Sequence, residues 1–264
     1  MTHPASGAPA AFALEGAGRR YGDIEALRPT SLSIADGERV ALVGPSGGGK
    51  TTLLRLCNGT VDATSGTVSL LGSDVASLSP GALRRLRSQV ATIPQNLGLV
   101  PNLRVWQNVA TGRVGRRGLI GGFRDLLFLP KKSLAEIHQL LERVGIEDKL
   151  FARTSELSGG QQQRVAVARA LFQNPQAILA DEPVSSVDPA RAASLVKLLC
   201  ELATEHGLTL VMSLHNLELA REFFPRLIGL RGGAVAFDSA PSKLEDGAFQ
   251  DLYELSEVEM LNDG

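Results

Sequence analysis

Gly44-Pro45-Ser46-Gly47-Gly48-Gly49-Lys50-Thr51 decides how this chain is read. It fits the spacing G-x-x-x-x-G-K-[S/T], and its surroundings suit that reading. A β-branched apolar run, Arg39–Val43 (RVALV), comes before it, and a helix-forming run over Lys50–Asn58 follows. The chemistry needs this order. Glycines let the backbone fold into a tight loop whose N–H groups converge on phosphate oxygens. The following helix, with Thr52 in its first turn, offers unpaired N–H groups and its positive dipole end to the same anion. Lys50 supplies a point charge for the β- and γ-phosphates of a nucleotide. The Thr51 hydroxyl is placed to ligate Mg²⁺.

Working outward, short apolar runs alternate with helical ones. Candidate strands are Val90–Ile93, Ala177–Ala180 and Thr209–Ser213, each short enough to be a buried strand. Leu227–Leu230 and Ala234–Phe237 flank Arg231-Gly232-Gly233, which reads as a hairpin turn. Candidate helices are Pro80–Ser88, Lys132–Val144, Gln161–Phe172, Pro189–Glu205 and Leu217–Phe223. Asp188-Pro189 is a helix start, with Asp as N-cap and Pro at the first helical position. Leu195, Leu198, Leu199 and Leu202 then share one face, and Gly207 suits the left-handed stop. Strands alternating with helices predict an α/β fold with a largely parallel, covered sheet.

Two further stretches belong with the loop. Ala177-Ile178-Leu179-Ala180-Asp181-Glu182 is an apolar strand delivering two carboxylates at its C-terminal end, where open α/β sheets bind ligands. Asp181 suits Mg²⁺ through its water shell, and Glu182 can polarise an attacking water. Taken alone, the same pair also reads as an acidic cap before a turn. Leu157-Ser158-Gly159-Gly160-Gln161 precedes an apolar-periodic helix. Ser158 can cap that helix, and the glycines allow close backbone approach. This is a second anion-binding helix N-terminus or a plain capped start. One nucleotide does not need two complete cradles in one chain, but a head-to-tail pair of chains would use both.

Composition narrows the function classes. In 264 residues, 27 Lys and Arg nearly balance 28 Asp and Glu, giving a net charge of −1, so nucleic-acid binding as the main role loses weight. Apolar residues at 44% allow a full core and exclude disorder or a disulfide scaffold as the overall plan. Cys57 and Cys200 lie far apart in apolar, helix-like surroundings and read as buried, reduced thiols. No apolar run reaches the roughly 18 residues of a membrane span, and runs such as Leu126–Pro130 are far too short. Residues 1–10 read as a flexible Ala/Pro tail rather than a signal peptide. Residues 96–131 are glycine-rich, and six Arg or Lys fall between Arg113 and Lys132. Together with the helix that follows, this region reads as an inserted subdomain spanning about 96–164. Its basic run is either a solvated face or a surface for a partner or phospholipid.

The ordered set resembles the ATP-binding cassette (ABC) nucleotide-binding domain over about residues 11–240, leaving 241–264 as a C-terminal tail. LSGGQ at 157–161, extended as LSGGQQQRVAVARAL, matches that family's signature. The resemblance implies a P-loop NTPase core with a parallel sheet, an N-terminal antiparallel β part and an inserted helical subdomain. It also gives roles to single residues that would otherwise read as a surface aromatic, a loop amide and a strand-end histidine. Tyr21 matches the aromatic that stacks on adenine. Gln95 matches the glutamine that touches Mg²⁺ and water, and His215 the histidine at the γ-phosphate. Asp188 closes Ser185-Ser186-Val187-Asp188, where the family usually shows Ser-Ala-Leu-Asp; Ser186 and Val187 depart from it.

By the same resemblance, two copies sandwich two ATP molecules between the Lys50 loop of one and the Ser158 loop of the other. The chain lacks the long heptad arms of chromosome-structure ATPases, the second cassette of translation factors and the fused membrane helices of exporters. It is most like the energy subunit of a bacterial importer. Such a subunit sits peripherally on the cytoplasmic face of the inner membrane, with two permease subunits, a separate substrate-binding protein and no nucleic acid. Leu99, Val100, Leu103 and Trp106, after Gln95, would either receive a permease helix or fill subdomain core. LLRLCNGT (53–60), NLGLVPNLRVWQNVATGRVG (96–115) and LADEPVSSVDP (179–189) are similar to phosphonate-importer ATPases. Polar amino-acid and methionine importer ATPases, or a soluble ABC ATPase, are the alternatives. The tail is acidic with an amphipathic hint at Phe249–Leu255, and can either pack on the core or stay loose.

Overall fold

The structure, a computed structural model, describes residues 9–116, 129–184, 188–244 and 246–253. The expected N-terminal tail up to residue 8, Ser185–Val187, most of the basic run (117–128) and the end of the C-terminal tail lie outside them.

A six-stranded sheet forms the centre. Its members are β3 (Arg39–Val43), β6 (Val90–Ile93), β7 (Ala177–Asp181), β8 (Thr209–Leu214), β9 (Arg226–Arg231) and β10 (Ala234–Ser239). They run in the order β10-β9-β3-β8-β7-β6. All neighbours are parallel except the β9–β10 hairpin. Gly232 and Gly233 turn that hairpin with φ of 53° and 75°, the doubly left-handed geometry that matches strand twist.

Alternation along each strand splits the core between the two faces. On β3, Ala41 and Val43 join one cluster and Val40 and Leu42 the other. The first cluster is covered by helices α3 (Val105–Ala110), α4 (Lys131–Arg143), α5 (Gly159–Phe172), α6 (Pro189–His206) and α7 (Leu217–Phe223). On the opposite face lie α1 (Lys50–Cys57) and a second, antiparallel sheet. That sheet has the order β2-β1-β4-β5, built from β1 (Ala10–Tyr21), β2 (Ile24–Ala35), β4 (Ser65–Leu70) and β5 (Ser73–Asp74). Pro29 lies on β2, at the edge of its sheet, where its missing N–H is tolerated. Helix α2 (Pro80–Arg87) leads into β6.

The helical periodicities are realised. Asp188 caps α6 by accepting from the Arg191 N–H at 3.0 Å, and Gly207 ends it at φ 62°. Leu195, Leu199 and Leu202 are buried on it, with Leu198 partly buried beside them. Helix α5 starts at Gly159, two residues before the expected Gln161, because Ser158 makes the capping box. The C-terminal segment forms helix α8 (Asp246–Tyr253), whose Phe249 and Leu252 are buried against the sheet's helical face. Within the described residues, this part of the tail packs on the core rather than staying loose.

Candidate active site

The strand order assembles the site. Loops after β3, β8, β7 and β6 leave the same edge of the sheet, its C-terminal edge, side by side. They carry, in that order, the Gly44–Thr51 loop, His215, Asp181–Glu182 and Gln95. Sequence positions 44 to 215 thus meet because parallel strands all deliver their C-terminal loops to one edge.

Glu182 is the meeting point. His215 Nε2 lies 2.6 Å from its Oε1, Lys50 Nζ lies 3.6 Å from Oε1, and Gln95 Nε2 donates to Oε2 at 3.2 Å. Its backbone is left-handed, φ 46°, which is rare for a residue with a side chain and clusters at functional sites. One hydroxyl fixes that turn: Ser213 Oγ accepts the Glu182 N–H at 2.8 Å and donates to Asp181 Oδ1 at 2.8 Å. Ser213 was legible only as the end of a strand; its role needs the β7–β8 register, which pairs it with Asp181.

Lys50 is almost fully buried, and its ammonium donates to the carbonyls of Gly44 (2.8 Å) and Pro45 (3.0 Å). Burial lowers its pKa, against the opposing pull of the Glu182 and Asp181 carboxylates. Gly44, at φ 144°, permits no side chain, since a Cβ there would lie 2.0 Å from the Leu230 carbonyl oxygen. Gly49 precedes α1 with no side-chain cap, so the helix's first N–H groups face the loop (Pro45, Ser46, Gly47, Gly48) rather than a capping oxygen. Thr51 Oγ1 donates to Asp181 Oδ1 at 3.1 Å, and Thr52 follows it on α1. Tyr21 ends β1 40% exposed, with the Arg19 guanidinium 4.5 Å over its ring.

Two predicted site elements stand apart from this group. Ser158 and Gln161 cap α5 reciprocally, the Ser158 N–H reaching Gln161 Oε1 at 2.9 Å and the Gln161 N–H reaching Ser158 Oγ at 3.4 Å. With Gly160 and Arg191 they line a cleft of about 410 Å³ that no residue of the Lys50 loop borders. Gly159 is the first residue of α5. Asp188, besides capping α6, pairs with Arg191 at 3.1 Å on this side. In the segment after Gln95, Leu97, Leu99 and Trp106 pack on the core while Val100 stays exposed. Buried Asn108 holds that segment through Val100 N–H, Val100 O and Thr154 Oγ1, a role its sequence context does not signal.

A glycine-rich loop opening a helix, a carboxylate pair and a histidine held against one of those carboxylates share one parallel-sheet edge, the arrangement of a P-loop nucleotide site. Known proteins agree. The sequence pattern described as ABC transporter matches residues 27–185, and the chain belongs to that family. A phosphonates import ATP-binding protein PhnC of Anaeromyxobacter dehalogenans is 47% identical over 92% of this chain, which spans only 48% of that protein. Proteins of the same name from Pseudomonas putida and Frankia casuarinae are 44% and 45% identical, with 90% and 92% of their lengths covered. Among solved structures, a post-hydrolysis dimer of the cassette MJ0796 bound to ADP and Pi superposes with a TM-score of 0.73 at 32% identity, over 87% of this chain and 98% of that one. The cbiO1 subunit of Clostridium perfringens, part of the cbiONQ transporter complex, gives 0.77 at 25% identity over 97% and 94%. Among the described residues, no helix is long and apolar enough to cross a membrane.

Proposed function

We propose that this chain hydrolyses ATP to power a bacterial importer, and that the cargo is a phosphonate or a related phosphorus oxyanion. The observation that carries the hydrolysis reading is the Glu182 carboxylate held between Lys50, His215 and Gln95 beside the phosphate loop. The cargo rests on the phosphonate-import names of its relatives.

In this reading the Lys50 ammonium and the open N–H groups of Gly49–Thr52 bind the phosphates, and adenine stacks on Tyr21. Glu182 orients water and accepts its proton as the water oxygen bonds the γ-phosphorus and the bond to the β–γ bridging oxygen breaks, releasing ADP and phosphate. His215 holds Glu182 Oε1 and reaches the γ-phosphate; Gln95 holds Oε2. Thr51, Asp181 and Gln95 are the oxygen-bearing side chains for Mg²⁺. Among the described residues no cluster of three or more His, Cys, Asp or Glu makes a dedicated metal cage. A few oxygens, with water and phosphate completing the shell, fit this small cation. When bound, Mg²⁺ neutralises charge on the phosphate oxygens.

The separation of the Ser158 cleft from the Lys50 loop favours a homodimer in which Ser158, Gly159, Gly160, Gln161 and Asp188 face the partner's nucleotide. Two permease subunits and a binding protein would complete the importer at the inner membrane. An open cleft of about 730 Å³ bordered by Arg84, Arg87, Thr92, Arg169 and Gln173 is a candidate surface for that permease contact, apart from the 97–106 segment to which the sequence pointed.

The test is growth of a strain lacking this chain, with a phosphonate as sole phosphorus source and phosphate as control. Loss of growth on phosphonate alone, restored by the wild type but not by Lys50→Ala, is expected. Unchanged growth in a strain with no second phosphonate importer would remove the cargo. Absence of Mg·ATP hydrolysis by the assembled complex would remove the enzymatic reading.

A further inference from the structure

The C-terminal helix reaches the active site. Tyr253, its last residue, accepts the Gly44 N–H on its phenol oxygen at 3.1 Å and donates to the His215 carbonyl at 3.4 Å. One hydroxyl therefore ties the first residue of the phosphate loop to the backbone of the histidine whose ring holds Glu182. The helix that carries it is anchored. Leu252 is buried, and Phe249 meets Phe237 edge-to-face at 5.6 Å with the Arg221 guanidinium 5.1 Å over its ring. Burial raises the Tyr253 pKa, the Gly44 N–H opposes this, and the Glu182 charge adds to it, so the hydroxyl keeps the proton it donates.

We propose that Tyr253 is a positioning residue for hydrolysis: its hydroxyl fixes the spacing between the phosphate loop and His215, and through His215 the aim of Glu182. The inference rests on the ATPase reading above. The geometry separates this role from nucleotide binding. Gly44 N–H is engaged by the phenol and so is not one of the donors facing phosphate, whereas His215 and Glu182 act on the step itself. Loss of the hydroxyl should therefore change turnover more than affinity.

The experiment compares ATP hydrolysis by wild type, Tyr253→Phe and Glu182→Gln in the assembled transporter, with the unfolding midpoint of each purified chain alongside. Phenylalanine keeps the ring and the helix packing. Tyr253→Phe is expected to lower kcat about three- to tenfold, the scale of one lost hydrogen bond, with KM for ATP within about twofold. Leu252→Ala, which loosens the helix but keeps the hydroxyl, serves as the packing control and should lower the midpoint more than Tyr253→Phe does. Wild-type kcat and KM in Tyr253→Phe, or a raised KM with kcat intact, would overturn the proposal. A wild type that hydrolyses no ATP, or does so no faster than Glu182→Gln, would instead overturn the ATPase reading on which it stands.

Discussion

At Glu182 the backbone sits in the left-handed region, a conformation that costs a residue with a Cβ about 1–2 kcal/mol. The Ser213 hydroxyl, bonded to the Glu182 N–H and to Asp181, offsets part of that cost. Ser213→Ala should therefore destabilise the fold by about 1–3 kcal/mol, read as a lower urea midpoint, because it leaves the part-buried Glu182 N–H without its acceptor, while Asp181 Oδ1 keeps the Thr51 hydroxyl. It should also slow hydrolysis by loosening Glu182. Glu182→Gln keeps the shape of the side chain but removes the carboxylate that the proposed mechanism uses to accept the water proton. Hydrolysis should fall about 10²–10⁴-fold while ATP still binds. Gel filtration with Mg·ATP should then show a dimer, and a variant that stays monomeric would count against the two-copy arrangement. Lys50→Ala should lose both binding and turnover.

At the scale of elements, the β3–loop–α1 unit depends on how closely the loop backbone passes the end of β9. Gly44 and Gly47 both have positive φ, 144° and 77°, but only Gly44 faces a wall: a Cβ there would meet the Leu230 carbonyl, while one at Gly47 meets nothing. Gly47→Ala should cost only the backbone strain, about 1–2 kcal/mol. Gly44→Ala adds a backbone collision and should lower the urea midpoint clearly further or leave the chain insoluble. Equal midpoints for the two variants would contradict this account. Both glycines belong to one motif, yet the sequence does not rank them, since Leu230 lies 186 residues away by subtraction of the two positions.

For the whole molecule, the two-faced core predicts the chemistry of the cysteines. Cys57 is fully buried on the α1 side and Cys200 nearly so on α6. Burial pushes the Cys57 thiol up to about 12, and burial first, with the Arg39 side chain opposing, puts Cys200 at about 11. At pH 8 the Cys57 thiol is then almost entirely protonated and a poor nucleophile. Native protein should resist alkylation at pH 8 and label at both positions in denaturant; rapid labelling of native Cys57 would show that α1 opens, and of native Cys200 that α6 does. The linkage sign follows. Folded thiols with raised pKa hold their protons longer than unfolded ones. Their contribution to stability is complete below the unfolded value near 9, and is lost as pH rises towards 11–12.

The strands of the central sheet, the capped helices and the phosphate loop were legible because each is a local pattern: β-branched runs, Asp-Pro at a helix start, glycines before Lys50. Most of the candidate site residues come from motif order, which the resemblance supplied. The antiparallel sheet was not legible from residues alone. Strand β1 (AAFALEGAGRRY) is rich in Ala, Gly and Arg, weak strand formers, and it forms because Phe12, Leu14 and Ala17 are buried against α1 and the central sheet. Tyr253 and Ser213 were equally hidden. A tyrosine in an acidic tail and a serine at a strand end acquire meaning only when strand order and helix packing set them against Gly44, His215, Asp181 and Glu182. By itself the sequence determined the class of chemistry, since phosphate binding is written in contiguous residues. Only the tertiary structure decided which groups hold the carboxylate and the loop in place, because those contacts join residues far apart in the chain.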